Sequence, residues 1–246
     1  MRNHPYADLD LAREDLAAGL RAAARLGLHE GVCNHFSIAL PDDRILINPQ
    51  GLHWDEVTAG DMVVADMQGR RLEGRHPVEI TAACIHSGIH RARADATCVL
   101  HTHMPYGTAL TLLEGGRLAW SDQNSLRFYG RTAYDDDYQG VAFDGAEGDR
   151  MANALGKCDV LFLASHGVIV CGPTMAHAFD DLYYLERACM HQVLARSTGG
   201  RLRQVDAAVA ARTAADIAAV REQSDLHFAA LKRLLDRDSD GWRALD

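Results

Sequence analysis

Three short histidine-bearing segments hold the residues of this chain best suited to chemistry: His101-Thr102-His103, Ser165-His166-Gly167 and Asn34-His35-Phe36-Ser37. The first two end apolar runs that read as strands, Ala96–Leu100 and Val160–Ala164. Side chains alternate faces along an extended chain, so His101 and His103 point the same way. His166, at the end of another strand, supplies a third imidazole for a three-nitrogen metal site with open positions for water or substrate. Gathering buried imidazoles is costly unless something organises them. Imidazole ligation suits zinc, manganese, iron or cobalt without separating them. The pattern predicts metal-assisted chemistry on a small molecule.

Other polar residues admit two readings. Asn34, His35 and Ser37 precede or open a strand, either as an Asx-type turn or as a loop that grips a substrate anion. Asn48-Pro49-Gln50-Gly51 is a Pro/Gly turn or a set of backbone donors around Gln50 and Gly51. Glu79 falls in the first turn of a helix expected to start at Pro77. There it complements the helix dipole, or faces the metal as a fourth ligand or proton shuttle. His86 and His90 lie one turn apart on that helix and share a face, with His86 the better site candidate. Glu186 sits on an apolar stripe between Leu182 and Cys189, which predicts a structural ion pair with an arginine. The Asp135–Asp137 triplet reads as a solvated loop.

The elements that must position these residues follow from periodicity and punctuation. Leu9 to Leu28 is an amphipathic opening helix ending at Gly27. Ser37–Leu40 and Ile45–Ile47 form a hairpin, and Met62–Ala65 is a further strand. Pro77 to Arg93 is a helix with Ile80, Cys84 and Ile89 on its apolar face. Met104–Leu113 leaves the His101 strand as a helix, Phe128–Phe143 is irregular, and Asp149–Leu155 is a short helix. Val168–Val170 is a strand after His166. Thr174 to Arg196 is a strong helix. After the Ser197–Arg203 linker, Val205 to Leu235 reads as one long helix with an apolar stripe too narrow to stand alone, so it is expected to pack on the core or on another subunit. The alternation implies a mixed α/β domain with a mainly antiparallel sheet over residues 1–200 and a helical extension of the same domain over 201–246.

Composition excludes several partner classes. The chain has 246 residues, 48% hydrophobic, enough for a sizeable core. A formal charge of −9 argues against a nucleic-acid partner. No apolar run reaches the roughly 20 residues of a membrane span, and Met1–Asp10 lacks an apolar signal core, so a cytoplasmic location is expected. The six cysteines form no C-x-x-C pair and read as core residues in a reducing compartment, Cys33 beside Asn34 being the exception to watch.

Taken together, Asn34–Ser37, Ile47–Gly51, the helix ending near Ala92-Arg93, His101-Thr102-His103, Ser165–Gly167 and Leu185-Glu186-Arg187 resemble the class II aldolase/adducin family over roughly Asp8 to Arg196. The resemblance implies an α/β/α sandwich, a homotetramer with sites near subunit interfaces, and His101, His103 and His166 as ligands of a divalent metal. It also places Asn34, Ser37, Gln50 and Gly51 in loops that hold a substrate phosphate in sugar-phosphate aldolases. The chain departs from those aldolases in three places. Ala82 stands where they carry a catalytic Glu. Pro77-Val78-Glu79-Ile80 replaces a Pro-Ser-Ser-Glu phosphate loop. The proton-donating tyrosine has no match nearer than Tyr129. The resemblance is closer to the adducin-like branch, similar to metal-dependent decarboxylases.

The expected function is therefore a divalent-metal carbon–carbon lyase, a decarboxylase or retro-aldolase, acting on a small anionic hydroxylated carboxylate through a metal-stabilised enolate or phenolate. Decarboxylation is slightly favoured, because departing carbon dioxide leaves only a reprotonation. His86 or Glu79 would deliver the proton, with Gln123, Tyr129 or Arg131 orienting the substrate. The rivals are an Fe(II) oxygenase on the same scaffold, a sugar-phosphate aldolase or epimerase using Glu79, and a non-catalytic adducin-like interaction module.

Overall fold

The computed structural model describes residues 4–246; the polar N-terminal stretch expected to lack a signal core has its first three residues outside this range. Helix α1 (Leu9–Arg25) begins where the Asp8 carboxylate accepts the N–H groups of Asp10 and Leu11. It ends where Gly27, at φ +67°, lets the Leu28 N–H reach back to the Ala23 carbonyl at 2.9 Å, a turn only glycine adopts cheaply. Between these ends Ala12, Leu16, Leu20 and Ala23 form a fully buried stripe. Each leucine contributes about 1.5–3 kcal/mol by leaving water.

Eight strands form one sheet: β1 (His35–Leu40), β2 (Arg44–Ile47), β3 (Val63–Asp66), β4 (Arg71–Glu73), β5 (Cys98–Thr102), β6 (Thr132–Asp135), β7 (Val160–Leu163) and β8 (Gly167–Gly172). Their order is β4-β3-β2-β1-β5-β8-β7-β6. Every pairing is antiparallel except β6 with β7. That parallel pair needs a crossover, which α5 (Gly145–Leu155) supplies.

The period-two pattern divides the sheet into two faces. Phe36, Ile38, Cys98, Leu100, Val168 and Val170 pack on α1, α3 (Pro105–Thr111) and α6 (Met175–Ser197) in the main core. Val99, Leu161, Leu163 and Ile169 face the other way, onto Ile85 and Ile89 of α2 (Ile80–Ala92) and Met151 and Leu155 of α5. The result is the expected α/β/α arrangement with a mainly antiparallel sheet. Helices α2 and α5 cross at paired glycines: a Cβ on Gly88 would lie 2.5 Å from the Gly148 carbonyl carbon, and one on Gly148 would lie 2.0 Å from the Cys84 oxygen.

Several expectations are corrected. Helix α2 starts at Ile80, not Pro77; Glu79 is its N-cap, with extended backbone and its own carboxylate bonded to the Ala82 N–H at 2.8 Å. The stretch expected to be irregular contains β6, and Asp135 is buried there against Arg150 at 2.6 Å rather than solvated. Among the described residues, Glu186 pairs with no arginine. Its two oxygens accept the N–H groups of Tyr106 and Gly107, each at 2.8 Å, and so satisfy the start of α3.

The expected single tail helix is two, α7 (Ala207–Ala218) and α8 (Glu222–Asp238). The chain breaks at Arg221, whose guanidinium bonds Asp181 at 2.7 Å and the His177 carbonyl at 3.2 Å. These contacts turn α7 toward α4 (Gln123–Leu126) and α8 toward α6 and α1. Phe228, Leu235 and Trp242 enter the main core.

Candidate metal centre

Alternation along β1 and β5 puts His35, Ser37 and His101 on the α2 side of the sheet, since their neighbours Phe36 and Leu100 belong to the opposite core. Register pairs His35 directly with His101, and their rings stack with centroids 5.4 Å apart. His103 follows just beyond the end of β5. His166 closes the β7–β8 turn, presented by Ser165 at φ +55°, a backbone region non-glycine residues seldom occupy and which concentrates at functional sites. Gly167 makes the approach possible, since a Cβ there would stand 2.6 Å from the Thr102 carbonyl and 2.8 Å from the His103 ring.

The imidazoles of His101, His103 and His166 converge. Ring centroids are 5.1, 4.8 and 4.8 Å apart, and one nitrogen from each lies within 4.8 Å of the others. Two of the rings have their orientation set from behind. Nδ1 of His101 is 3.0 Å from the Val168 carbonyl, so it carries the hydrogen and leaves the Nε2 lone pair free. Nδ1 of His103 donates to Glu30 at 2.7 Å, and its buried Nε2 has no partner among the described residues. Burial, reinforced by the neighbouring rings, pushes the His101 pKa well below normal and that of His166 down to about 4. Neutral rings with inward lone pairs are the donor set a transition metal requires, and the unpartnered His103 nitrogen fits such an ion.

Beside this triad is a cavity of about 700 Å³, into which His35, Gln50, Gly51, Glu79, His101, His103 and His166 all face. Glu79 Oε2 lies 3.3 Å from His35 Nε2 and also accepts from the Thr81 hydroxyl. Burial alone would raise its pKa; the hydrogen bonds from His35, Thr81 and the Ala82 N–H outweigh that and bring it to about 2. Burial lowers the His35 pKa despite the nearby carboxylate.

Other expected site residues stand elsewhere. Asn34 is buried and structural; its Oδ1 accepts the N–H groups of Glu30 and His103 and ties that loop to the end of β5. Ser37 cannot grip an anion, because it is fully buried between His86 Nδ1 at 2.6 Å and His90 Nε2 at 2.7 Å. His86 is enclosed beneath His35 and does not line the cavity. Gln123 lines a separate cleft with Arg127 and Arg221. Tyr129 packs on Trp120, and Arg131 is held by Asp159 and Asp181, both at 2.7 Å. None of these three reaches the cavity within one chain.

The sequence reading named Ser165 and Gly167 in the His166 segment without giving them a role, and it missed Glu30, Thr81 and the apolar cavity residues Val32, Val141 and Phe143. Ser165 and Gly167, on either side of His166, offered the one local signal.

Comparison with known proteins agrees with this fold. Residues 14–193 match the model of the class II aldolase and adducin N-terminal domain. A candidate aldolase class 2 protein of Pseudomonas aeruginosa is 36% identical over 94% of this chain and 91% of its own length. The crystal structure of an aldolase II superfamily protein from Pseudomonas syringae superposes with a TM-score of 0.89 at 34% identity, covering 98% of both chains. An L-fuculose 1-phosphate aldolase from Glaciozyma antarctica superposes with a TM-score of 0.85 at 27% identity, over 97% of this chain and 95% of its own.

Proposed function

Because the chain belongs to the class II aldolase and adducin N-terminal domain family, we propose that it is a divalent-metal-dependent carbon–carbon lyase that cleaves a small hydroxylated carboxylate. The observation that carries this reading is the convergence of His101, His103 and His166, two of them oriented from behind so that a free lone pair faces the others. A non-catalytic adducin-like role has no need of such a donor set.

A cation held by those three imidazoles would supply a Lewis acid that draws charge from a substrate carbonyl or carboxylate oxygen. The protein's own residues divide the remaining work. Glu79 lines the cavity beside the triad, and this position suits its carboxylate to accept a hydroxyl proton. As that proton leaves, the oxygen's electron pair forms the aldehyde carbonyl and the adjacent carbon–carbon bond breaks. The bonding pair passes toward the retained carboxylate fragment, and Glu79 returns the proton to carbon. His35, 3.3 Å away, orients the carboxylate and holds its charge. Aldol cleavage and decarboxylation are separated by the product assay below. His86 is withdrawn as proton donor because it does not reach the cavity.

The test is aldehyde release from a panel of hydroxy acids by the zinc-, manganese-, iron- or cobalt-loaded protein, with carbon dioxide and oxygen uptake measured alongside. One metal per chain and loss of turnover in His101→Ala are expected; full turnover in that variant would remove the reading. The family reading also carries a homotetramer, which light scattering checks. Among the described residues no helix is long and apolar enough to cross a membrane.

A further inference from the structure

The N-terminus of a helix is an anion site, because its first N–H groups lack partners and its dipole favours negative charge. Helix α2 points such a terminus at the metal-side cavity, since Glu79 and Thr81 both line it. That terminus is filled by the chain itself. Glu79 Oε2 accepts the Ala82 N–H at 2.8 Å and the Thr81 hydroxyl, and the Ala83 N–H is spent on the Glu79 carbonyl at 3.0 Å.

The rest of the cavity offers a phosphate only neutral donors, such as Gln50 and Gly51, and no compensating cationic side chain. Among the described residues, its lining holds no lysine or arginine, and its two acidic members are Glu30 and Glu79. Arg150 lines the adjoining recess with Val141 and Phe143. Its guanidinium is already paired with Asp135 at 2.6 Å and Glu147 at 2.7 Å. Val32, Ile85, Val141, Ala142 and Phe143 instead give the cavity an apolar wall. Phe143 and Val141 are 67% and 59% exposed in the single chain, which leaves apolar surface at the cavity mouth for a ligand or a neighbouring subunit to cover.

We infer that this cavity selects a small hydroxy- or oxo-carboxylate carrying an uncharged, apolar substituent and rejects phosphorylated substrates, because the Glu79 carboxylate occupies the anion site at the start of α2. The metal-side half of this statement rests on the lyase reading; the exclusion of phosphate does not.

The test therefore has a metal-free arm. Inorganic phosphate is titrated into the full-length metal-free protein by calorimetry, for the unaltered chain and for Glu79→Ser and the isosteric Glu79→Gln, each confirmed folded by circular dichroism. The unaltered chain is expected to bind phosphate at least about tenfold more weakly than whichever variants fold. Equal or tighter binding by the unaltered chain overturns the proposal. In the metal-loaded arm, 3-phenyllactate is expected to bind about tenfold tighter than glycolate, and 2-phosphoglycolate no tighter than glycolate. Phe143→Ser should bring phenyllactate affinity down to that of glycolate in the same variant. A preference of the unaltered chain for 2-phosphoglycolate overturns the inference. Failure to hold a metal removes the lyase reading, while the phosphate arm still decides the role of Glu79.

Discussion

Nδ1 of His103 lies 2.7 Å from Oε2 of Glu30, a residue 73 positions earlier in the chain. The bond fixes the imidazole in the tautomer whose Nε2 faces His101 and His166. Carboxylates behind ligating histidines raise ligand basicity and hold ring orientation, so Glu30→Gln should weaken zinc binding about 10–100-fold. Competition against a chromophoric chelator measures this, and an unchanged urea midpoint would separate it from a folding defect. Unaltered zinc affinity would show that Glu30 does not orient the ring.

The α2–α5 crossing has no room for a methyl group. In Gly148→Ala the new Cβ would meet the Cys84 carbonyl at 2.0 Å, and backbone atoms cannot step aside as a side chain would. The variant should lose about 1–3 kcal/mol or more in urea unfolding. Because α2 carries Glu79, the substrate affinity of the surviving folded protein should fall as well. A stability within about 0.5 kcal/mol of the parent would contradict the observed crossing.

Glu186 gives the stability a pH dependence on the neutral side. Burial lifts its pKa from 4.5 to about 7, against the opposing pull of the Tyr106 and Gly107 N–H groups. The folded chain thus holds this proton more tightly than the unfolded chain. Its contribution is fully present below about pH 4.5 and is lost as pH rises through about 7, by on the order of 3 kcal/mol. Chemical unfolding at a series of pH values should show that decline, and Glu186→Gln should flatten it. An identical slope in the variant would assign the dependence elsewhere.

Asp180 acts in a separate, acidic window. Burial raises its pKa, but His227 at 2.7 Å, Ser224 at 2.7 Å and Arg127 at 2.6 Å outweigh that and hold it at about 2. A depressed carboxylate stabilises the fold above its unfolded pKa. That contribution, about 2 kcal/mol, is lost as pH falls from about 4 toward 2. Since His227 and Ser224 belong to α8, the C-terminal helices should detach first. Hydrogen exchange at pH 3 should show α8 opening ahead of the sheet, and Asp180→Asn should show the same opening at pH 7.

Local order was legible because it has a local cause. Periodicity placed α1, the strands beside His101 and His166, and α6, whose N-cap Thr174 accepts the His177 N–H at 3.3 Å. The period-two rule alone set His101 and His103 on one side. What sequence could not decide was which polar residue would spend its hydrogen bonds inside the protein. Ser37 and Asn34 have the right chemistry for a ligand, yet each is consumed by partners distant in the chain, His86 and His90 in one case and His103 in the other. Glu186 found backbone N–H groups instead of an arginine, and Arg221 broke a helix by bonding to Asp181. Residue type and spacing therefore determined most of the strands and the three candidate ligand imidazoles, while the layering followed from the family resemblance. Only the tertiary structure decided the second rank of residues: Glu30 behind His103, Glu79 at the start of α2, and the apolar wall of the cavity. Those roles depend on pairings between segments far apart in sequence, and one-dimensional patterns carry no record of which buried donor meets which acceptor.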